Sequence, residues 1–382
     1  MLKKYYLKHK DDNYLSFYYD SETQNLSNIE VLKKFSFLPQ NAHSLKNSEW
    51  YEYIFKLNLI PQNRQNYNNL FAKVSSIFDL YDHFKGFNLN NNLWMCEVNS
   101  TLKWANKNQY NNFENKLETF MFDHRFFVSD ISNFNSPDWF TCGETIKTWK
   151  KENNNLFLLK SPLQVANKIL YDNYAEFFTS KLANILIKNS INYELIKINN
   201  LTYSKSANFT NTNNEFFSFG QLFLNSYSDR EKLEEAIYLF YGKKNFEDMM
   251  VFDALTLNVD RHLGNFGLLY NDKSKKFKPA PLFDFNKSLV FDFPLYTEKS
   301  TQAQLIDYGK RQSCFYNSLD EQLFKFANPR HQKWVKIIEE YAKNLPKSNC
   351  DKKYLKFIKK ILLLQANKLK NFLIAKQEKI DE

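Results

Sequence analysis

The chain has 382 residues, 43% of them hydrophobic and 17% aromatic, with 37 Phe and 23 Tyr. That is enough apolar material for a sizeable core spread over two or three domains or lobes. No apolar run approaches the roughly 18–20 residues that span a bilayer, and Met1-Leu2-Lys3-Lys4-Tyr5-Tyr6 lacks the pattern of a signal peptide, so a cytoplasmic chain is expected, export as an effector being left open. Cys96, Cys142, Cys314 and Cys350 form no C-x-x-C pair, which argues against zinc, a redox dithiol or a disulfide framework. The formal charge of +10 suits anionic partners such as nucleotides, although solvated lysines account for it more simply.

In chain order, short strands are expected at Tyr5–Leu7 and Tyr14–Tyr19, then helices at Ser48–Leu57 and Gln65–Phe84. This first part, 1–128, carries Trp50, Trp94 and Trp104 and many Phe and Tyr, which indicates apolar packing of its own and an accessory role without catalytic groups. The second part, 129–222, is strand-rich: Phe157-Leu158-Leu159 reads as a buried strand, and Ile191–Ile198 and Leu201–Phe209 as further strands. Its one helix, Asn173–Ile187, has apolar periodicity through Phe177, Leu182, Ile185 and Leu186. The Asn clusters at 90–92, 153–155 and 211–214 read as turns. The third part, 223–382, is helical, with Asp229–Tyr241 running from an acidic N-cap to Gly242, then Phe246–Leu257, Asp320–Phe326, Pro329–Leu345 and Lys352–Lys376. Strands followed by helices give an α+β class with two lobes.

One stretch concentrates chemistry. After the helix that ends near Leu257 comes Asn258-Val-Asp-Arg-His-Leu-Gly-Asn265, then a strand at Leu268–Tyr270, a charged turn, and Lys278-Pro-Ala-Pro-Leu-Phe-Asp284. Phosphoryl transfer needs a carboxylate to orient the attacking hydroxyl, oxygen ligands for Mg²⁺ and a cation for the phosphates. Asp260 and Asn265 can face one cleft from a single loop, and a hairpin of this length returns Asp284 to its neighbourhood. Gly264 and Gly267, two of seven Gly in the chain, suggest tight backbone near a ligand. Any one of these Asp alone is more simply a turn residue; the joint pattern is far more specific.

The stretch resembles the HipA-like bacterial Ser/Thr kinases, whose D-R-H-x-x-N loop and A-P-[IL]-F-D motif correspond here to Asp260–Asn265 and Ala280–Asp284. The resemblance implies a two-lobed protein-kinase-like fold, Asp260 as catalytic base, and Asn265 and Asp284 as Mg²⁺ ligands. Where some relatives carry a small residue after the metal Asp, this chain has Phe285. Upstream, Leu158-Leu159-Lys160 is similar to the strand bearing the phosphate-binding Lys, and Tyr174-Ala-Glu176 to the helix start bearing its Glu partner; a snorkelling Lys and a solvent-facing Glu are the plainer alternative. Gly143 and Lys147, in Thr141-Cys-Gly-Glu-Thr-Ile-Lys147, resemble the family's phosphate loop, and Ser136, Thr141 and Thr145 lie where relatives autophosphorylate. About 209–217 is expected to form the hinge. The resemblance thus implies ATP and Mg²⁺ as ligands, a protein acceptor with a Ser or Thr hydroxyl, a toxin or effector role with an antitoxin-like partner, and no direct binding of nucleic acid. A lipid acceptor, or a catalytically weak kinase-like binding module, are the rival readings.

No two of the six His are spaced i, i+4 as in a zinc protease, and neither G-x-S-x-G nor a Rossmann glycine pattern is present. The Lys-rich face of the last helix is most simply a solvated surface.

Overall fold

The structure is a computed structural model and describes residues 2–296 and 301–381, apart from 57, 73, 75, 114–120, 123–135, 225 and 228. The boundary expected at 128–129, and His124, lie outside the described residues. The sequence divides the chain into three consecutive parts; in the structure contacts group it into two units, each discontinuous in sequence.

The first unit comprises 1–160, 208–228 and 267–278. It opens with a four-stranded antiparallel sheet in which Leu2–His9 lies between Asp12–Asp20 and Leu93–Glu97, with Asn25–Val31 at the edge. The first strand buries alternate residues, Tyr5, Leu7 and His9, as the two-residue period of a pleated strand requires. Tyr19 stacks on Phe78 at 3.6 Å, and Phe55 packs edge-on against Phe17 and Phe78, so this core is built of rings. A hairpin follows, Lys147–Glu152 with Asn155–Lys160. Its two-residue turn places Asn153 and Asn154 at φ 48° and 66°, a left-handed pair that Asn tolerates and that matches the strand twist. Asn214–Ser218 pairs with Gly267–Asn271, and Phe37 stacks on Phe217 of this pair at 4.6 Å.

The second unit comprises 161–207, 229–266 and 279–382. Helix Asp172–Leu186 precedes the hairpin Tyr193–Ile198 and Leu201–Ala207, again turned by two left-handed Asn, Asn199 and Asn200. Helices Arg230–Tyr241 and Lys243–Leu255 meet at Gly242, and Thr301–Lys310, Leu319–Phe326, Gln332–Lys343 and Lys352–Asp381 complete the unit. Phe246, Met250, Phe252, Ile338, Ile358 and Leu362 are fully buried among them.

The helix expected over Gln65–Phe84 is two, Tyr67–Phe71 and Ile77–Phe84, because Ser76 caps the second by accepting from the Asp79 N–H at 3.1 Å. No helix among the described residues is long and apolar enough to cross a membrane.

Candidate functional site

The 258–265 loop is held from the helix before it. Helix Lys243–Leu255 stops where Leu257 turns left-handed, at φ 56°. Two turns of chain later, Arg261 reaches back to Asp253 on that helix through Nε at 2.9 Å and Nη2 at 3.2 Å. Asn258 Nδ2 donates to the same carboxylate at 2.8 Å. The third guanidinium nitrogen donates to two carbonyls, Asn265 at 2.8 Å and Phe283 at 2.6 Å. One buried fork therefore fastens the helix end, the far end of the loop and the residue before Asp284. Burial opposes its charge, but Asp253, with Asp284 adding to it, more than offsets this and raises the Arg261 pKa.

Asp260 stands at the turn of this loop. Its N–H donates to Asn258 Oδ1 at 3.2 Å, and its carbonyl accepts from His262 N–H at 2.9 Å and from Asn265 Nδ2 at 2.8 Å. The backbone is thus fixed on both sides while the carboxylate is about a third exposed, with Lys287 Nζ 3.4 Å from Oδ2. Because the Asn265 amide nitrogen is engaged with the Asp260 carbonyl, its oxygen is the end that could ligate a cation. Asp284 adopts φ 58°, a region where Asp is enriched among non-glycines. Its N–H donates to Tyr193 Oη at 3.2 Å, and Leu282 bridges to Ser190, so the turn and hairpin that follow helix Asp172–Leu186 set its position. Asn265 and Asp284 offer hard oxygens, the donor class that Mg²⁺ takes, so the side chains present fit that ion.

Both glycines sit in tight backbone, as the sequence suggested. A Cβ on Gly267 would lie 2.2 Å from the Phe217 carbonyl, and one on Gly264 would meet the His262 ring at 2.7 Å. Close packing of the chain on itself requires both; His262 braces the loop by accepting the Gly264 N–H at 3.0 Å.

In the first unit, the hairpin places Lys147 directly opposite Lys160, so the two side chains leave the same face. Both are buried, and Gly143 sits at φ 117° in the loop before Lys147. Lys147 Nζ donates to the Cys142 carbonyl at 3.0 Å, and a Cβ on Gly143 would lie 2.1 Å from that nitrogen. Gly143, Lys147 and Lys160 are therefore one cluster. Glu176 belongs to the second unit, fully buried in helix Asp172–Leu186, where Ser204 Oγ donates to it at 2.6 Å; it is not the solvent-facing residue of the plainer reading. Ser136, Thr141 and Thr145 are all buried, with Ser136 donating to Asp138 and Thr141 to the Pro137 carbonyl at 2.8 Å each.

Sequence reasoning did not single out Asp253, Asn258, Lys287 or Tyr193. The available signal for Asp253 is an acidic residue on a helix whose neighbours Phe252 and Ala254 are core, eight before an Arg that is itself buried.

Three comparisons bear on this geometry. No family model matches the chain. The Serine/threonine-protein kinase CtkA of Helicobacter pylori J99 is 36% identical over 72 residues, which is 19% of this chain and 21% of the relative's length. The crystal structure of the H. pylori proinflammatory kinase CtkA superposes with a TM-score of 0.50 at 21% identity, covering 62% of this chain and 92% of that one. A Shewanella oneidensis MR-1 toxin–antitoxin complex of HipA, HipB and operator DNA gives a TM-score of 0.53 at 14% identity, covering 96% and 97%. The chain is thus similar in fold to CtkA and HipA, and the α+β kinase-like class and the HipA-like resemblance read from its motifs agree with that.

Proposed function

We propose that this chain is an ATP- and Mg²⁺-dependent protein kinase of HipA-like type that phosphorylates Ser or Thr hydroxyls. The observation that carries the reading is the Arg261 fork, which ties the Asp260–Asn265 loop to the segment bearing Asp284. A kinase needs these three side chains held in fixed relation, since its catalysis is mostly positioning and electrostatics.

In this reading Asp260 accepts a hydrogen bond from the acceptor hydroxyl and aims it for attack. The Asp260 backbone is fixed by Asn258, His262 and Asn265, so little reorganisation is needed. Asn265 and Asp284 would hold Mg²⁺, which supplies charge neutralisation on the transferred phosphoryl group. Gly143, Lys147 and Lys160 bind the nucleotide's phosphates, and the resemblance gives Glu176 a part in ATP binding. The fold similarity to HipA, seen in a complex with HipB, motivates an antitoxin-like partner. The stretch 1–128 carries no catalytic group in this proposal.

The test is incubation of the purified chain and a cell lysate with labelled ATP and Mg²⁺, followed by mass spectrometry. Phosphate on Ser or Thr that is absent with Asp260→Asn supports the reading. Label found in lipid alone, or ATP binding with no transfer, overturns it.

A further inference from the structure

Arg64 lies in the stretch expected to be accessory, yet it is 2% exposed and has no carboxylate within ion-pair distance among the described residues. Its Nε donates to the Gly143 carbonyl at 2.8 Å and its Nη2 to the Thr141 carbonyl. Nη1 is buried and finds no hydrogen-bond partner. Asp138 and Cys142 are the acidic groups near enough to favour its charge, and Asp138 spends both oxygens on Ser136, Thr148 and the Trp149 N–H. Burial accordingly draws the guanidinium down to about 10. An uncompensated buried cation is expensive to keep, and what it holds is two alternate carbonyls of the glycine loop.

A trans peptide points its C=O and the following N–H in opposite directions. With the Thr141 carbonyl turned to Arg64, the Cys142 N–H faces away from it, and with the Gly143 carbonyl turned likewise, so does the Glu144 N–H. The Cys142 carbonyl is taken by Lys147, which orients the Gly143 N–H in turn. Neither the Cys142 nor the Gly143 N–H donates to a described residue, and Cys142 is exposed. The Cys142 and Glu144 amides, both turned away from Arg64 with a glycine at positive φ between them, are the kind of backbone donors from which an anion-binding concavity is made.

We infer that Arg64 is a positioning residue that presets the amides of Cys142 to Glu144 to receive the phosphates of a nucleotide. The inference rests on the kinase reading and extends it, because it gives the N-terminal stretch a part in phosphate binding. Arg64 touches no phosphate itself. It acts through the two peptides whose carbonyls it holds, so its effect is confined to ligands that carry phosphates.

The experiment measures MgATP and adenosine affinity by calorimetry for the full chain and for Arg64→Lys and Arg64→Met. Arg64→Met is expected to lose about tenfold or more in MgATP affinity with adenosine affinity unchanged. Arg64→Lys, which has one nitrogen for two carbonyls, falls between. General damage to the fold weakens both ligands together. Equal MgATP affinity in Arg64→Met and wild type, or parallel loss of both ligands, overturns the inference and leaves the kinase reading standing. Should Arg64→Met not fold, hydrogen exchange of the wild-type chain decides: MgATP, but not adenosine, must protect the Cys142–Glu144 amides, and no such protection overturns the inference. A wild type that binds no MgATP at all overturns both readings.

Discussion

At the scale of single residues, the buried pair of Arg261 and Asp253 holds the loop in place. Asp253 is wholly buried and is satisfied by Arg261 and Asn258. Removing one partner of a buried pair leaves the other charge uncompensated, which costs roughly 3–5 kcal/mol. Asp253→Asn is therefore expected to lower the urea midpoint strongly, even though the side chain keeps its shape; a change below about 1 kcal/mol would show that the fork is dispensable. Asp260 is the contrasting case, partly exposed, with its backbone held by the loop and its carboxylate 3.4 Å from Lys287 Nζ. Asp260→Asn should leave stability and MgATP affinity nearly unchanged while lowering transfer by about 10²–10⁴-fold. Asp284→Asn should weaken MgATP binding as well, and a Mg²⁺ titration of both variants separates the two roles.

At the scale of elements, the legible parts were those with local signals. Helix Arg230–Tyr241 begins at Asp229, whose carboxylate accepts from the Glu231 N–H at 2.8 Å, and ends at Gly242 at φ 84°, as the flanking residues indicate. The 258–265 loop stood out because its residue types recur as a motif at short spacing. Arg64 did not, because its partners lie 77 and 79 residues away and are backbone carbonyls, which leave no mark on the sequence. Strands Asn25–Val31 and Leu93–Glu97 were missed for a similar reason: their pairing is set by long-range register, and Asn25–Val31 is mostly open to solvent with little apolar alternation. Helix Lys243–Leu255 also bears Asp248, whose carboxylate accepts from Lys244 at 2.6 Å and Arg330 Nε at 2.8 Å, with His331 Nε2 at 3.0 Å. Burial opposes its charge, but these bonds together hold the carboxyl well below its ordinary value. A depressed carboxylate contributes stability that is present above the unfolded value, about 4, and is lost as pH falls through the folded one. Denaturant unfolding at pH 7 and pH 3 should show wild type losing more stability than Asp248→Asn across that interval; equal losses would remove Asp248 from the acid limb.

At the scale of the whole molecule, the stretch 1–128 is part of the first unit's core. Phe37 is fully buried and stacks on Phe217, with Tyr270 edge-on at 5.3 Å, so the pair Asn214–Ser218 and Gly267–Asn271 packs directly on N-terminal chain. His9 Nε2 lies 2.8 Å from Glu215 Oε1, with both side chains buried, and the Asn92 N–H donates to the other oxygen at 2.8 Å. A chain beginning near residue 129 loses all of these at once. Phe217 and Tyr270 become exposed, and the Glu215 carboxylate loses both of these N-terminal partners; exposed apolar rings of that kind promote association. The expected outcome is aggregation on expression. His9→Ala isolates one part of this without deleting the rings. It should destabilise the full chain by about 1–3 kcal/mol through the unsatisfied Glu215 acceptor, while the double variant His9→Ala with Glu215→Gln should recover part of that loss. A soluble, folded chain from residue 129 would show instead that the aromatic contacts of Phe37 add little to the unit, and that the N-terminal stretch is a removable appendage.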